Sequence, residues 1–364
     1  MRRSPVPLEL NTPQRFYRGG RGILRFRGLE EPRGFDDRRP EDWLASTTRL
    51  FAEGGDGLSL LPDGRTLREE LQAAPEEWLG AEHVAHHGAE PGLLVKLLDA
   101  AERLPVHVHP DRAFAARHLD CTHGKTEAWL VLEAEPGASV WLGFRDDLTV
   151  EQLSGLVDAQ DARLLDSLNR LPVQRGDSIL VPAGQPHAIG AGVMVVELQE
   201  PTDFSVMLEH ERFALDPEHS WLGLERDVAL GAVDRAPLDA AALEALRGRW
   251  DRSAPAAAGA PHRALPSRAE EFFRAEVLPA RPETPATADA GFSVVVVVHG
   301  TGRLTTDAGE EIAVHAGQTL VTPYSCGGLR LEGAVTAIRC RPGPVPPAQV
   351  DPRHTTNRHA EASS

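Results

Sequence analysis

The stretch Gly176-Asp-Ser-Ile-Leu-Val-Pro182-Ala-Gly184-Gln-Pro-His187 decides how this chain folds. Its pattern is Gly, five residues, Pro, one residue, Gly, two residues, His. Gly176-Asp177 predicts a tight turn, because glycine enters turn conformations without steric cost. Ser178 to Val181 is short, apolar and partly β-branched, and reads as a buried strand. Pro182-Ala-Gly184 breaks that strand and turns the chain. His187 is then expected to enter a further strand, Ala188 to Glu197, with its ring at the mouth of a barrel.

His187 has partners upstream. In His107-Val-His109 the side chains alternate along a strand, so both imidazoles are expected on one face. Glu127 stands in Gly124-Lys-Thr-Glu127-Ala-Trp129 and leads into the apolar strand Ala128 to Glu133. Three histidines and one carboxylate from three strands form a plausible shell for a divalent ion. Other histidines carry less. His83, His86 and His87 read as a polar loop. His118 and His123 flank Cys121 at irregular spacing, which favours a solvated loop over a Cys/His zinc site.

The 364-residue length allows two domains at about 150 residues each. Hydrophobic content of 41% and charged content of 25% are ordinary for a globular chain. A formal charge of −16 disfavours nucleic-acid binding, which neutralises phosphates with a basic surface. It leaves room for a local basic pocket that accepts an anionic substrate. No apolar run is long enough to span a bilayer, and Met1-Arg-Arg-Ser lacks the apolar segment of a signal peptide. Three cysteines, Cys121, Cys326 and Cys340, argue against a disulfide framework and fit a reducing cytoplasm. Only two of the 38 basic residues are lysines, Lys96 and Lys125, and both fall beside the expected metal strands. A compact ammonium and a planar guanidinium do different work at a reactive site.

Along the chain, residues 5 to 28 read as one or two strands. Asp42 to Leu61 reads as strand-rich, with a turn at Gly54-Gly55-Asp56-Gly57. Thr66 is expected to cap a helix running to Leu79, and Leu93 to Leu98 to form a buried strand. Thr149 caps a predicted helix through Val157, and Ala162 to Leu168 predicts a second, before strands resume at Val173. Asp227 to Ala254 reads as helical, and Ala254 to Pro261 as a linker. Phe292 to Val298 is a continuous apolar strand, followed by a turn at Gly300-Thr-Gly302 and a strand at Glu311 to Val314. His315-Ala-Gly317-Gln-Thr-Leu-Val-Thr-Pro323 repeats the Gly, five residues, Pro spacing, but Tyr324-Ser-Cys-Gly-Gly follows without a histidine.

With these residues in place, the chain resembles the type I mannose-6-phosphate isomerases, in particular their short bacterial form within the cupin superfamily. The similar elements are Glu41-Asp-Trp43-Leu-Ala-Ser46, Leu94-Val-Lys96-Leu-Leu-Asp99, Val106-His-Val-His109-Pro110-Asp111, Gly124-Lys-Thr-Glu127-Ala-Trp129, Val181-Pro-Ala-Gly184 and His187-Ala-Ile-Gly190. They run in order from about Trp43 to Gly343.

The resemblance implies a mainly β fold of two cupin jelly-rolls with helical insertions. The metal-binding cupin would occupy residues 1–230, with an insertion near 148–169. A helical segment and linker would follow over 231–270, a metal-free cupin over 271–343, and a disordered tail over 344–364.

It further implies one zinc ion per chain on His107, His109, Glu127 and His187. Lys125, Glu197 and Asp203 would be catalytic, and Lys96 and Ser46 would bind substrate. The substrate would be a small sugar or sugar phosphate, with no nucleic-acid or membrane partner; the sequence does not fix the oligomeric state. Two departures stand out. His107 replaces the family's Gln, giving a three-His, one-Glu shell that cupin oxygenases also use. Met207 stands where the family has an active-site Arg, and a thioether donates no hydrogen bond. An aldose–ketose isomerase working through a cis-enediol is the leading expectation. A non-catalytic sugar-binding homologue and a metal-dependent cupin oxygenase remain as alternatives.

Overall fold

A computed structural model describes residues 4–51, 57–216, 220–251 and 260–344. Within these residues the chain is mainly β, built from three antiparallel sheets. The Gly176 motif seeds the first two. Asp177–Val181 is a fully buried strand, and Gly176 takes the positive φ of 93° that its turn requires.

The expected single strand Ala188 to Glu197 divides in two. His187–Ile189 and Val193–Gln199 lie in different sheets. The break falls at Gly190, whose N–H donates to the Ser139 carbonyl at 3.0 Å. A Cβ there would stand 2.2 Å from that oxygen, so only glycine lets the chain pass.

One sheet of six strands runs in the order Arg247–Arg249, Asp177–Val181, Glu127–Ala134, Val193–Gln199, Leu94–Ala100, Glu41–Leu44. A sheet of five runs Val206–Met207, His107–Val108, His187–Ile189, Ser139–Phe144, Leu168–Pro172. Trp129, Leu130 and Val195 of the first share one apolar core with Val140, Leu142 and Ile189 of the second. The two sheets therefore close face to face, in the manner of a jelly-roll. The helices Val150–Ala159 and Ala162–Asp166 connect strands of the five-stranded sheet and bury Leu153, Val157 and Leu164 in a separate core. Thr149 and Gln152 form a capping box at the first of these, and Thr66 with Glu69 form another at Leu67–Ala73.

A third sheet gathers the strands from His262 to Pro342, joined at its edge by Val6–Pro7, which pair with Val321 and Leu320. Val294 to Val298 are all buried, as a strand covered on both faces should be.

Several local expectations differ from the structure. Residues 5 to 28, read as one or two strands, hold one short strand, Val6–Pro7, and also a helix, Arg21–Arg27. Asp99 fixes that helix by accepting from the N–H groups of Gly20 and Gly22 at 2.9 and 2.6 Å. The expected helix to Leu79 is split at Pro75 into Leu67–Ala73 and Pro75–Leu79. His83, His86 and His87 lie on the helix Ala81–His87, not in a loop. Strands resume at Leu168 rather than Val173.

Residues 227 to 254 hold two short helices, Arg226–Leu230 and Ala240–Ala245, and the strand Arg247–Arg249. Pairing of Arg247–Arg249 with Asp177–Val181 overrode their modest helical pattern. Gly300-Thr-Gly302 is not a turn. It lies inside the long strand Ser293–Thr306, beside a register shift between Val297 and His299. Most of the expected turn at 54–57, much of the Ala254 to Pro261 linker, and residues 345–364 of the expected tail lie outside the described residues.

The metal-strand segment passes directly into the helix Arg112–His118, whose N-cap Asp111 accepts from the Phe114 N–H at 2.7 Å. Asp111→Ala should lower stability by about 1 kcal/mol in denaturant unfolding, with metal content unchanged. Loss of metal in that variant would mean the cap also sets the position of His109.

Candidate metal centre and active-site cleft

Sheet register brings the site together. His107 pairs directly with His187 on one side and with Met207 on the other. His109 follows one residue beyond its strand. Glu127 opens its strand in the facing sheet, paired with Gln199 and Val181. The three imidazoles converge, with ring centroids 4.2 Å apart for His107 and His187, 4.9 Å for His107 and His109, and 4.8 Å for His109 and His187. All three are buried.

Each ring is held the same way. His107 Nδ1 lies 2.9 Å from the Pro105 carbonyl, His109 Nδ1 2.8 Å from that of Phe204, and His187 Nδ1 2.9 Å from that of Gln185. A carbonyl only accepts, so each Nδ1 carries the proton and donates. That leaves each Nε2 unprotonated, with a lone pair to offer.

One ring nitrogen from each histidine lies within 4.8 Å of the others, so this group could hold a metal ion. Glu127 stands beside it, with Oε2 3.0 Å from His109 Nε2 and Oε1 3.4 Å from His187 Nε2. Its Oε1 also accepts from Trp129 Nε1 at 2.9 Å. His187 Nε2 is buried and has no hydrogen-bond partner. An orphaned buried nitrogen aimed at two other imidazoles and a carboxylate is what a divalent ion would satisfy.

Burial keeps the His107 and His109 rings neutral, pushing His109 down to about 3 and His107 well below its ordinary value. Burial opposes ionisation of Glu127, but the neighbouring Lys125 charge holds it well below the usual carboxylate range.

The cleft next to these residues is lined by Arg15, Tyr17, Glu41, Lys96, His107, Lys125, Glu127, Glu197 and Met207, among others. Trp43, Lys96, Glu197 and Trp129 form one cross-strand row of the six-stranded sheet. Lys96 Nζ sits 3.2 Å from Glu197 Oε1 and 3.4 Å from Glu41 Oε2, over the Trp43 ring at 4.8 Å. Burial disfavours its charge, yet Glu41 and Glu197 raise its pKa above the ordinary value. Burial raises Glu197, against the attraction of Lys96. Lys125 Nζ lies 2.9 Å from His109 Nε2 and 3.6 Å from Glu127 Oε2, and burial lowers its pKa.

Of the residues expected at the site, His107, His109, His187, Glu127, Lys125, Lys96 and Glu197 are gathered here. Asp203 stands behind Arg15, accepting from its two terminal nitrogens at 3.3 Å each. Ser46 is not brought to the cleft. It is fully buried, and its hydroxyl is engaged with the Thr48 backbone at 3.1 Å.

Arg15, Tyr17 and Glu41 were not expected as site residues. Glu41 Oε2 accepts from Trp43 Nε1 at 2.6 Å, and Tyr17 donates to Oε1. No pattern in the sequence marks Arg15 or Tyr17, which come from a segment without regular secondary structure. His83, His118 and His123 do not join His107, His109 and His187, the one such group found among the described residues.

A mannose-6-phosphate isomerase from Bacillus subtilis, solved by crystallography, superposes with a TM-score of 0.73 over 93% of this chain and 99% of that one, at 23% identity. This chain has the phosphomannose isomerase fold. A mannose 6-phosphate isomerase bound with zinc and yttrium superposes at a TM-score of 0.67 over 94% of this chain and all of the other, at 14% identity. In sequence, a mannose-6-phosphate isomerase from Streptococcus mutans is 37% identical over 151 residues, which are 40% of this chain and 45% of that protein. The match therefore spans less than half the length of the curated relative. No protein-family model matches the chain. The resemblance read from the sequence to the mannose-6-phosphate isomerases is borne out. No helix among the described residues is long and apolar enough to cross a membrane.

Two outcomes follow from this geometry. His187→Ala removes one of three fixed nitrogens and should weaken divalent-metal retention on the order of a hundredfold, measured by metal content after dialysis. Equal content in variant and wild type would refute the assignment. Glu41 is buried and held low by Arg15 and Lys96, with burial opposing them. A depressed carboxylate contributes stability above its unfolded value of 4.5 and loses it as pH falls toward the lower native value. Glu41→Gln should therefore cost about 3 kcal/mol at neutral pH, and the deficit should shrink on acidification, read as unfolding midpoints across pH.

Proposed function

We propose that the protein is a zinc-dependent aldose–ketose isomerase, interconverting mannose 6-phosphate and fructose 6-phosphate or a closely related sugar pair through a cis-enediol. The observation that carries this reading is the triad of carbonyl-anchored imidazoles beside Glu127, opening on a cleft that holds both lysines of the chain. His107, His109, Glu127 and His187 would hold one zinc ion per chain. When bound, the ion would polarise the sugar's carbonyl and hydroxyl oxygens and so lower the cost of negative charge on them.

The reaction moves one proton between the first two carbons of the sugar and one between their oxygens. Glu197 fits a proton carrier, because it lines the cleft and burial raises its carboxyl above the ordinary value. Lys96, held 3.2 Å away, keeps that carboxylate oriented. Lys125 offers a compact positive charge where oxyanion character develops. Its lowered pKa reflects the cost of burying that charge, which partial negative charge on the substrate would relieve. Supporting this chemistry are the shared fold and the partial sequence match to mannose-6-phosphate isomerases. The reading includes a cytoplasmic location and a small-molecule sugar partner.

Deuterium incorporation at the second carbon tests this reading directly. In deuterated water, zinc-loaded protein should exchange that position of mannose 6-phosphate or a related aldose while forming the ketose. Lys125→Met should slow exchange by about a hundredfold with metal content retained, because it acts on charge that develops in the transition state. No exchange with any phosphorylated or free aldose would reject the reading.

A further inference from the structure

Arg15 comes from the stretch between Val6–Pro7 and the helix Arg21–Arg27, which also carries Phe16 and Tyr17 of the cleft. Its placement is rigidly specified. NH1 and NH2 bond the two Asp203 oxygens at 3.3 Å each, and Nε lies 3.1 Å from Glu41 Oε1. Asp203 is pinned in turn, accepting from the Phe51 N–H at 3.2 Å. Edge-on packing of Phe51 against Phe204, at 5.4 Å between centroids, ties this wall to the segment that anchors His109.

A guanidinium has five N–H donors. The bonds to Asp203 occupy two, Nε faces Glu41 Oε1 as an ion pair without a hydrogen bond, and the second N–H of each terminal nitrogen has no acceptor among the described residues. The side chain is 14% exposed, so it is largely desolvated yet reachable from the cleft. Met207, which lines the same cleft beside His107, offers no donor.

We propose that Arg15 contacts the substrate, donating the second N–H of each terminal nitrogen to the sugar oxygens that carry negative charge as the proton moves. Asp203 is then a positioning residue. Both its oxygens are occupied with holding the guanidinium, which fits it for orienting Arg15 rather than for carrying a proton. Glu41 is shared between Arg15 and Lys96, so the cleft's proton carrier and its oxyanion donor hang on one buried carboxylate. Donors fixed before the reaction need no reorganisation when charge develops, which is where such groups contribute most. The inference rests on the isomerase reading of the cleft.

The test uses zinc-loaded full-length protein and compares wild type with Arg15→Lys, Arg15→Ala and Asp203→Asn. It reads kcat and KM for sugar exchange, metal content and the unfolding midpoint. Arg15→Lys keeps a charge for Asp203 and Glu41, so the fold is expected to survive, but it loses the planar fork. Its kcat should fall on the order of a hundredfold, with KM and metal content changed far less. Added guanidinium ion should restore part of the activity of Arg15→Ala, which a merely structural role would not allow. Asp203→Asn should lower kcat less than Arg15→Ala and should not respond to guanidinium. The proposal is overturned if Arg15→Lys keeps wild-type kcat, or if activity falls only in step with metal loss or unfolding. If wild type exchanges sugar protons while the Arg15 variants do so equally well, this inference fails and the isomerase reading stands. If wild type exchanges none, both fail.

Discussion

Three hydrogen bonds from imidazole to backbone carbonyl govern this structure. Pro105, Phe204 and Gln185 each accept a proton from the Nδ1 of one histidine, and so decide which nitrogen of each ring is free. The acceptors come from three different parts of the chain. Their positions hold only if the strands Val206–Met207, His107–Val108 and His187–Ile189 lie side by side in register. A one-residue slip in any of them would turn its histidine to the opposite face. Much of the remaining architecture serves that register, from the glycine-only passage at Gly190 to the apolar core shared by the two sheets.

A second constraint is electrostatic. Arg15, Glu41, Lys96, Glu197 and Asp203 are charged groups in a row of close pairs, with Glu41, Lys96 and Glu197 buried and Arg15 and Asp203 partly so. Burying any one alone would be expensive, and burying them together is tolerable only because each has a partner of opposite sign. Such a row is a poor source of stability compared with apolar packing of equal volume. Its use is to hold donors and a proton carrier at fixed positions beside the metal ligands. The N-terminal segment belongs to this arrangement. Residues 6 to 44 pair with the third sheet at Val321, supply Arg15 and Tyr17 to the cleft, and end as the edge strand of the six-stranded sheet.

The metal-site residues were legible in the sequence because each announces itself locally. A Gly–Pro–Gly–His spacing fixes a turn, a strand and a ring, and a His-Val-His pair shares a face by the strand's period of two. Lys96 stood out as one of only two lysines in the chain, beside the metal strands, and Glu197 through the family resemblance. Arg15 did not, because nothing in Gln14-Arg-Phe-Tyr17 distinguishes it from the many other arginines, and its partners lie 26 and 188 residues away. Ser46 looked like a site residue by its motif, but its hydroxyl is used by the Thr48 backbone. Two of the misread elements share a cause. Around Gly300 and Arg247, pairing with a distant strand overrode the local turn or helix preference, and such pairing leaves no local trace.

X-ray absorption at the zinc edge of the zinc-loaded protein tests the central claim most directly. The account predicts a shell of nitrogen and oxygen only, with the outer-shell scattering of three imidazoles and one carboxylate-type oxygen donor. A sulfur contribution, or scattering from fewer than three imidazoles, would contradict it.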